Sequence, residues 1–213
     1  MEAKGRDANL GSSRYLKFAD HRLRPALDLL AQIPLDSPGT VYDLGCGPGN
    51  ITRLLADRWP GAVVIGVDSS SEMLARAGQE VPEVSLQHAD IAQWSPTVPA
   101  HLLFSNATMH WLDDHRPLLP HLVGQLTRGG VLAVQIPCNR DAPCHLLIDA
   151  TASDGPWRPR LSQVRPIFQS VESPEVYYQI LAPTCGGLIS GRANTSISSK
   201  VITRSSPGPR ARL

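Results

Sequence analysis

At 213 residues, 42% of them hydrophobic and 18% charged, the chain has the make-up of one globular domain large enough for a full core. A formal net charge of +1 supplies no field toward nucleic acid or an anionic membrane, and no apolar run is long enough to span a bilayer. The polar start, Met1 to Asp7, lacks the apolar segment of a secretory leader, and Cys46, Cys138, Cys144 and Cys185 have no C-x-x-C spacing, so reduced thiols in a cytoplasm are the simpler reading.

Residues 1–14 are polar and expected to be flexible. Leu23, Ala26, Leu27, Leu30 and Ile33 recur at helical spacing, with Pro25 placed in a first turn. Val41 to Leu44 reads as a strand running into Gly45-Cys46-Gly47-Pro48-Gly49, after which Ile51, Leu54, Leu55 and Trp59 form a helical stripe. Ala62 to Val67 is a second strand ending in Asp68. Ser69 and Glu72 fit a capping box for the next helix. Val84 to Gln87 alternates as a third strand before Ala89-Asp90-Ile91, and His101 to Asn106 is a fourth. Leu118, Leu119, Leu122 and Leu126 predict a helix ended by Gly129-Gly130, and Val131 to Ile136 is a fifth strand. A helix is expected near His145 to Ala150, and another opening at Ser173-Pro174-Glu175 and stopped by Pro183.

Strands alternating with helices predict a parallel sheet covered on both faces, with ligand at the carboxyl ends of the strands. Three signals converge there. Glycines at every second position let backbone approach a ligand closely. Asp68 stands at the end of the second strand, about 20 residues beyond the turn, where a carboxylate receives ribose hydroxyls. Asp90 occupies the matching place after the third. A nucleoside-type ligand follows, and two classes remain open. A nicotinamide dinucleotide usually meets G-x-G-x-x-G and a helix N-terminus. Here the spacing is G-x-G-x-G, and Asp43 before it suits a ligand with a cationic amino group better than a pyrophosphate.

The stretch Asp43 to Gly49 resembles the first motif of class I S-adenosylmethionine-dependent methyltransferases. With Tyr15 to Asp20, Val67 to Ser70, Ala89 to Ile91, Leu103 to Ala107, His110 to Leu112 and Gly130 to Gln135, the chain resembles the trans-aconitate 2-methyltransferase family from about residue 13 to 185. The resemblance implies a Rossmann-like α/β fold and S-adenosylmethionine as cofactor. Gly45, Gly47 and Gly49 would lie along its methionine part and Asp43 at its amino group. Asp68 and Ser69 would meet the ribose, Asp90 and Ile91 the adenine, and Asn106 the floor near the reactive methyl. The implied reaction is esterification of a small carboxylic acid, with no catalytic base, because a carboxylate is already ionised near neutral pH. Tyr15, Phe18, Arg22, His110, Trp111, Asn139, His145 and Tyr177, with Arg24 beside them, are the acceptor-binding candidates. No metal is implied, since His110, Asp113 and His115 lack a recognised ligand spacing. A monomer without nucleic-acid or membrane partners is expected.

Two positions depart from the family near the acceptor: His110, where glutamine is common, and Cys138, where aspartate is common. The larger departure is the C-terminus. From Gly186 to Leu213 there are five basic residues, six serines and no acidic or aromatic residue. This segment is expected to be disordered, as after a shifted reading frame or truncation. The last two strands of the fold would then be missing and the fifth strand left with an unpaired edge.

Overall fold

The computed structural model describes residues 19–138, 142–161, 171–193 and 198–205. In chain order these form α1 (Ala19–Ala31), β1 (Thr40–Leu44), α2 (Asn50–Arg58), β2 (Val63–Asp68), α3 (Ser71–Glu80), β3 (Ser85–His88), β4 (Ala100–Asn106) and a 3-10 turn (Met109–Trp111). There follow α4 (His115–Gly124), β5 (Leu126–Pro137), α5 (Pro143–Ser153), α6 (Arg158–Leu161), α7 (Pro174–Leu181), β6 (Cys185–Ala193) and β7 (Ser198–Ser205). One sheet holds all seven strands in the order β3-β2-β1-β4-β5-β7-β6. β1 to β5 are mutually parallel, and β7 runs antiparallel to both neighbours. The expected Rossmann-like class is therefore present, with its switch point between β1 and β4.

Alternate residues of the central strands feed two cores, which is why these strands read as nearly continuous apolar runs. Tyr42, Leu103, Leu132 and Val134 pack with Leu118, Leu119 and Leu122 of α4 and Tyr177 and Leu181 of α7. Val41, Leu102, Phe104, Val131 and Ala133 pack on the other face with Leu29, Leu30 and Ile33 around α1 and with Leu55 and Trp59 around α2.

Several local expectations are corrected. Ser70, not Ser69, caps α3, its hydroxyl accepting from Met73 N at 3.3 Å. Pro25 sits inside α1, which begins at Ala19. Gly129-Gly130 does not end a helix. α4 stops at Gly124, Leu126 already pairs with Ala100, and the register shifts as β5 passes β4. A side chain at Gly130 would press on the carbonyls of Thr127 and Ala100 at 2.9 and 3.0 Å, so the glycine pair belongs to an irregularity within β5.

The largest correction concerns the C-terminal part. β7 pairs with β5 from Val131↔Arg204 to Pro137↔Ser198, and β6 pairs with β7 from Cys185↔Ser205 to Ala193↔Ser198. The two strands expected to be missing are in the sheet, so β5 has no unpaired edge and residue 185 does not bound the sheet. The serine-rich composition masked Val201-Ile202-Thr203, a β-branched run suited to a strand. The expectations for residues 1–14, 194–197 and 206–213 fall outside the described residues.

Candidate functional site

The glycine turn joins β1 to α2 at the carboxyl edge of the sheet. Gly45, Gly47 and Gly49 have φ of +75°, +54° and +90°, a left-handed region that suits glycine. The N–H groups of Gly45 and Cys46 both donate to the Val67 carbonyl, at 2.8 and 3.0 Å, which locks the turn onto the end of β2. The three glycines are not equivalent. A Cβ on Gly45 would overlap the Thr108 side chain, and one on Gly49 would meet Val81 at 2.9 Å and Ala77 at 3.3 Å. Among the described residues nothing lies within 4 Å of a Cβ on Gly47, so within them this glycine alone of the three faces open space.

Asp68 ends β2 with both carboxylate oxygens engaged. Oδ2 accepts from Gly47 N at 2.9 Å and Oδ1 from Ser70 N at 2.8 Å. A carboxylate offers about four acceptor sites, so about two more donors can be received. Ser69 lies beside it, its carbonyl 2.9 Å from His88 Nε2. Asp90 is exposed after β3 and accepts from Ala92 N at 3.0 Å, while Ile91 beside it is buried. Both carboxylates thus cap turns at the carboxyl ends of their strands.

Asp43 points inward. It is 1% exposed, and its Oδ2 accepts from Thr52 Oγ1 of α2 at 2.7 Å. Burial raises its pKa to about 7, against the lowering effect of the Thr52 hydrogen bond, with the charge of Asp68 adding to the rise. Burial, then the charges of Asp43 and Asp68, push the Cys46 thiol up, so this cysteine is a packing residue and not a nucleophile.

Asn106 ends β4 beside β1, with Ala107 following at φ +53°. Thr108 Oγ1 donates toward the carbonyls of Gly45 and Asn106, each at 3.2 Å, and so links the glycine turn to the β4 side. The 3-10 turn then carries His110, 7% exposed, and Trp111, 64% exposed, with ring centroids 4.9 Å apart. Burial pushes the His110 pKa down to about 4, His115 adding to the effect, so this imidazole is neutral at ordinary pH.

One acceptor candidate is hydrogen-bonded inside the fold. Tyr177 is 3% exposed inside the α4–α7 core, where its hydroxyl accepts from Glu172 N at 3.1 Å and lies 2.7 Å from His115 Nδ1. These bonds make it a strut of the fold. His145 is half-buried on α5, with its N–H donating to the Ala142 carbonyl at 2.9 Å. Leu146, Leu147 and Ile148 beside it are exposed, and α5 and α6 frame an open apolar groove of about 410 Å³ lined by Leu147, Ile148, Trp157 and Leu161. Arg24 is exposed on α1. Tyr15, Phe18, Asn139 and the Arg22 side chain lie outside the described residues. Among the described residues no cluster of His, Cys, Asp and Glu could hold a metal ion, and no helix is long and apolar enough to cross a membrane.

Sequence reasoning gave no role to Thr52, Thr108 and Gln135, and weighed His115 only as a metal ligand. A signal existed for Gln135, the one polar residue in Val131-Leu132-Ala133-Val134-Gln135-Ile136. Polarity inside a buried strand needs an explanation.

A glycine turn open at Gly47, a carboxylate at the end of β2 and a 3-2-1-4-5-7-6 sheet define a class I, S-adenosylmethionine-dependent methyltransferase domain. Residues 41–130 match the family model described as a methyltransferase domain. An S-adenosylmethionine-dependent methyltransferase from Mesorhizobium loti shares the fold at a TM-score of 0.62 and 19% identity, over 84% of this chain and 96% of that one. The chain is 53% identical over 170 residues to trans-aconitate 2-methyltransferase of Azoarcus sp. (strain BH72), covering 80% of this chain and 66% of the relative. It is 46% identical over 181 residues to that of Rhodopseudomonas palustris (strain HaA2), covering 85% and 71%. The chain belongs to the trans-aconitate 2-methyltransferase family. It spans 66% and 71% of the length of these two relatives. The dinucleotide alternative is displaced.

Proposed function

We propose that this chain methylates a carboxylate of trans-aconitate, or of a closely similar small acid, to give a monomethyl ester. The observation that carries the reading is the carboxyl edge of β1 and β2, where Asp68 is tied to the one glycine that faces open space, in a chain 53% identical to a trans-aconitate 2-methyltransferase. S-Adenosylmethionine, when bound, supplies an electrophilic methyl group on a sulfonium, so the acceptor oxygen gains a C–O bond while the S–C electron pair stays on sulfur.

In this reading the chain binds, aligns and excludes water. Asp68 receives the ribose hydroxyls, and Gly47 leaves room for the methionine part. Asp43 attracts the amino group through the turn, and Asp90 and Ile91 hold the adenine. No proton moves at the acceptor, so no base is required, and a neutral His110 beside the crevice agrees with that chemistry. Rate enhancement then comes from in-line placement of acceptor oxygen, methyl and sulfur. The proposal includes a monomer working in the cytoplasm on a dissolved acid, without nucleic-acid or membrane partners.

Calorimetric titration with S-adenosylhomocysteine, followed by turnover with trans-aconitate, tests the proposal. One-to-one binding and a methyl ester product are expected. A cooperatively folded chain that does not bind S-adenosylhomocysteine rejects the cofactor site. Binding with turnover only on a different acid rejects the acceptor.

A further inference from the structure

We infer that Gln135 is an acceptor-binding residue, its side-chain N–H groups receiving a carboxylate of the acid, while Asn106 beside it turns its carbonyl to the cationic end of the cofactor. This rests on the methyl-transfer reading above and deepens it.

Gln135 is 2% exposed, yet its Nε2 has no hydrogen-bond partner among the described residues. The same holds for the buried Oδ1 of Asn106. The two residues are register partners across β4 and β5. Adjacent strands lie about 4.8 Å apart and side chains alternate between faces. Asn106 therefore continues the face of Leu102 and Phe104, and Gln135 that of Val131 and Ala133, the same face of the sheet. Both lie toward the carboxyl ends of the strands, where open α/β sheets take their ligands. The place is fixed firmly: Ala107, at φ +53°, donates its N–H to the Gln135 carbonyl at 2.9 Å.

A buried donor without a partner costs stability, and so does a buried acceptor. Here one of each stands side by side, and they call for opposite ligands. A bare amide N–H suits an anion, and a bare amide carbonyl suits a cation or an N–H. Methyl transfer from a sulfonium to a carboxylate brings one ligand of each kind to a single point. The pair therefore marks the seam between the two bound molecules, with the cofactor on the Asn106 side and the acid on the Gln135 side.

The test uses the full chain, S-adenosylhomocysteine, trans-aconitate and two near-isosteric variants, Gln135→Met and Gln135→Glu. Acceptor affinity is measured by titrating trans-aconitate into protein saturated with S-adenosylhomocysteine. Both variants should hold S-adenosylhomocysteine within about twofold of wild type. Both should bind trans-aconitate about 10- to 100-fold more weakly, the range for a lost hydrogen bond to a charged group. A second readout separates this from a structural role. Gln135→Met removes an unsatisfied buried donor, so the ligand-free variant should melt a few degrees higher than wild type. A lower melting temperature would mean that Gln135 has a partner inside the fold, and the inference fails. It fails equally if trans-aconitate affinity is unchanged, or if S-adenosylhomocysteine-loaded wild type binds no such acid. Wild type that does not bind S-adenosylhomocysteine overturns the cofactor reading, and this inference with it.

Discussion

The two halves of the crevice are built on opposite terms. On the β1–β2 side the polar groups are satisfied within the chain: Asp68 by Gly47 and Ser70, Asp43 by Thr52, and the turn amides by Val67. On the β4–β5 side Asn106 and Gln135 keep a buried polar atom without a partner, Trp111 stands exposed, and α5 presents Leu146, Leu147 and Ile148 to solvent. The first half is pre-organised by its own hydrogen bonds. The second holds a buried donor and a buried acceptor that the described residues leave uncompleted. Shape on the first side is therefore a property of the fold, whereas specificity on the second awaits its acid.

The largest effect expected from breaking the first half lies at Asp43, where the fold stabilises the neutral acid. Its pKa is 3.8 in the unfolded chain and about 7 in the folded one. Between those values the folded state keeps a proton that the unfolded state has released, so stability falls as pH rises and the loss is complete above about 7. Three pKa units correspond to about 4 kcal/mol. Asp43→Asn keeps an acceptor for Thr52 and cannot ionise. Denaturant unfolding should find it more stable than wild type by about that amount at pH 8, and close to wild type at pH 4. S-Adenosylhomocysteine affinity of the wild type should rise as pH passes through about 7, when the ionised form becomes available to the ligand's amino group. Equal slopes of stability against pH in the two proteins would remove Asp43 from the account.

The glycines sharpen the same contrast on a smaller scale. Gly45→Ala combines a left-handed φ with collision against Thr108 and should cost about 3 kcal/mol of stability. Gly47→Ala meets no neighbour and should cost about 1 kcal/mol. Its effect on ligand should be the reverse of its effect on folding: S-adenosylhomocysteine affinity should fall more than tenfold, because the new methyl occupies the open face. A Gly47→Ala protein that binds normally would place the ligand elsewhere.

The legibility of the sequence follows the same division. The glycine turn, Asp68 and Asp90 were visible because turn chemistry and strand ends are local properties, readable at fixed spacing. The parallel sheet covered on both faces was legible because strands alternate with helices along the chain. The hydrogen bonds of Tyr177 were not legible because a helix position does not tell which way an aromatic ring faces; only the packing of α4 against α7 decides it. Asp43 was expected at the ligand's amino group; its hydrogen bond from Thr52, nine residues away, was not legible because it depends on where α2 lies. β6 and β7 were hidden because their pairing is supplied by β5, a neighbour distant in sequence, while their own composition resembles a polar tail. Gln135 and Asn106 become a pair only through strand register.

The smallest expected effect on cofactor affinity tests whether the second half is held in place from behind. His115 Nε2 lies 2.8 Å from the Met109 carbonyl, so that nitrogen carries the proton, and Nδ1 accepts from the Tyr177 hydroxyl, which itself accepts from Glu172 N. This chain joins α7 to the turn that carries His110 and Trp111. It requires a neutral His115, and burial lowers that residue's pKa, the hydrogen bond to Met109 opposing. Stability from this group is therefore full above the unfolded histidine pKa of about 6.5 and is lost as pH falls below it. Tyr177→Phe leaves His115 Nδ1 and Glu172 N without their partner and should cost about 2 kcal/mol in urea unfolding at pH 8. S-Adenosylhomocysteine affinity should change by less than about threefold, since the turn amides and Asp68 do not depend on α7, whereas trans-aconitate affinity should weaken more. If the two ligands suffer alike, the halves are coupled through Thr108, which bonds the Gly45 carbonyl and stands next to Met109, and the division drawn between them gives way to a single cooperative site.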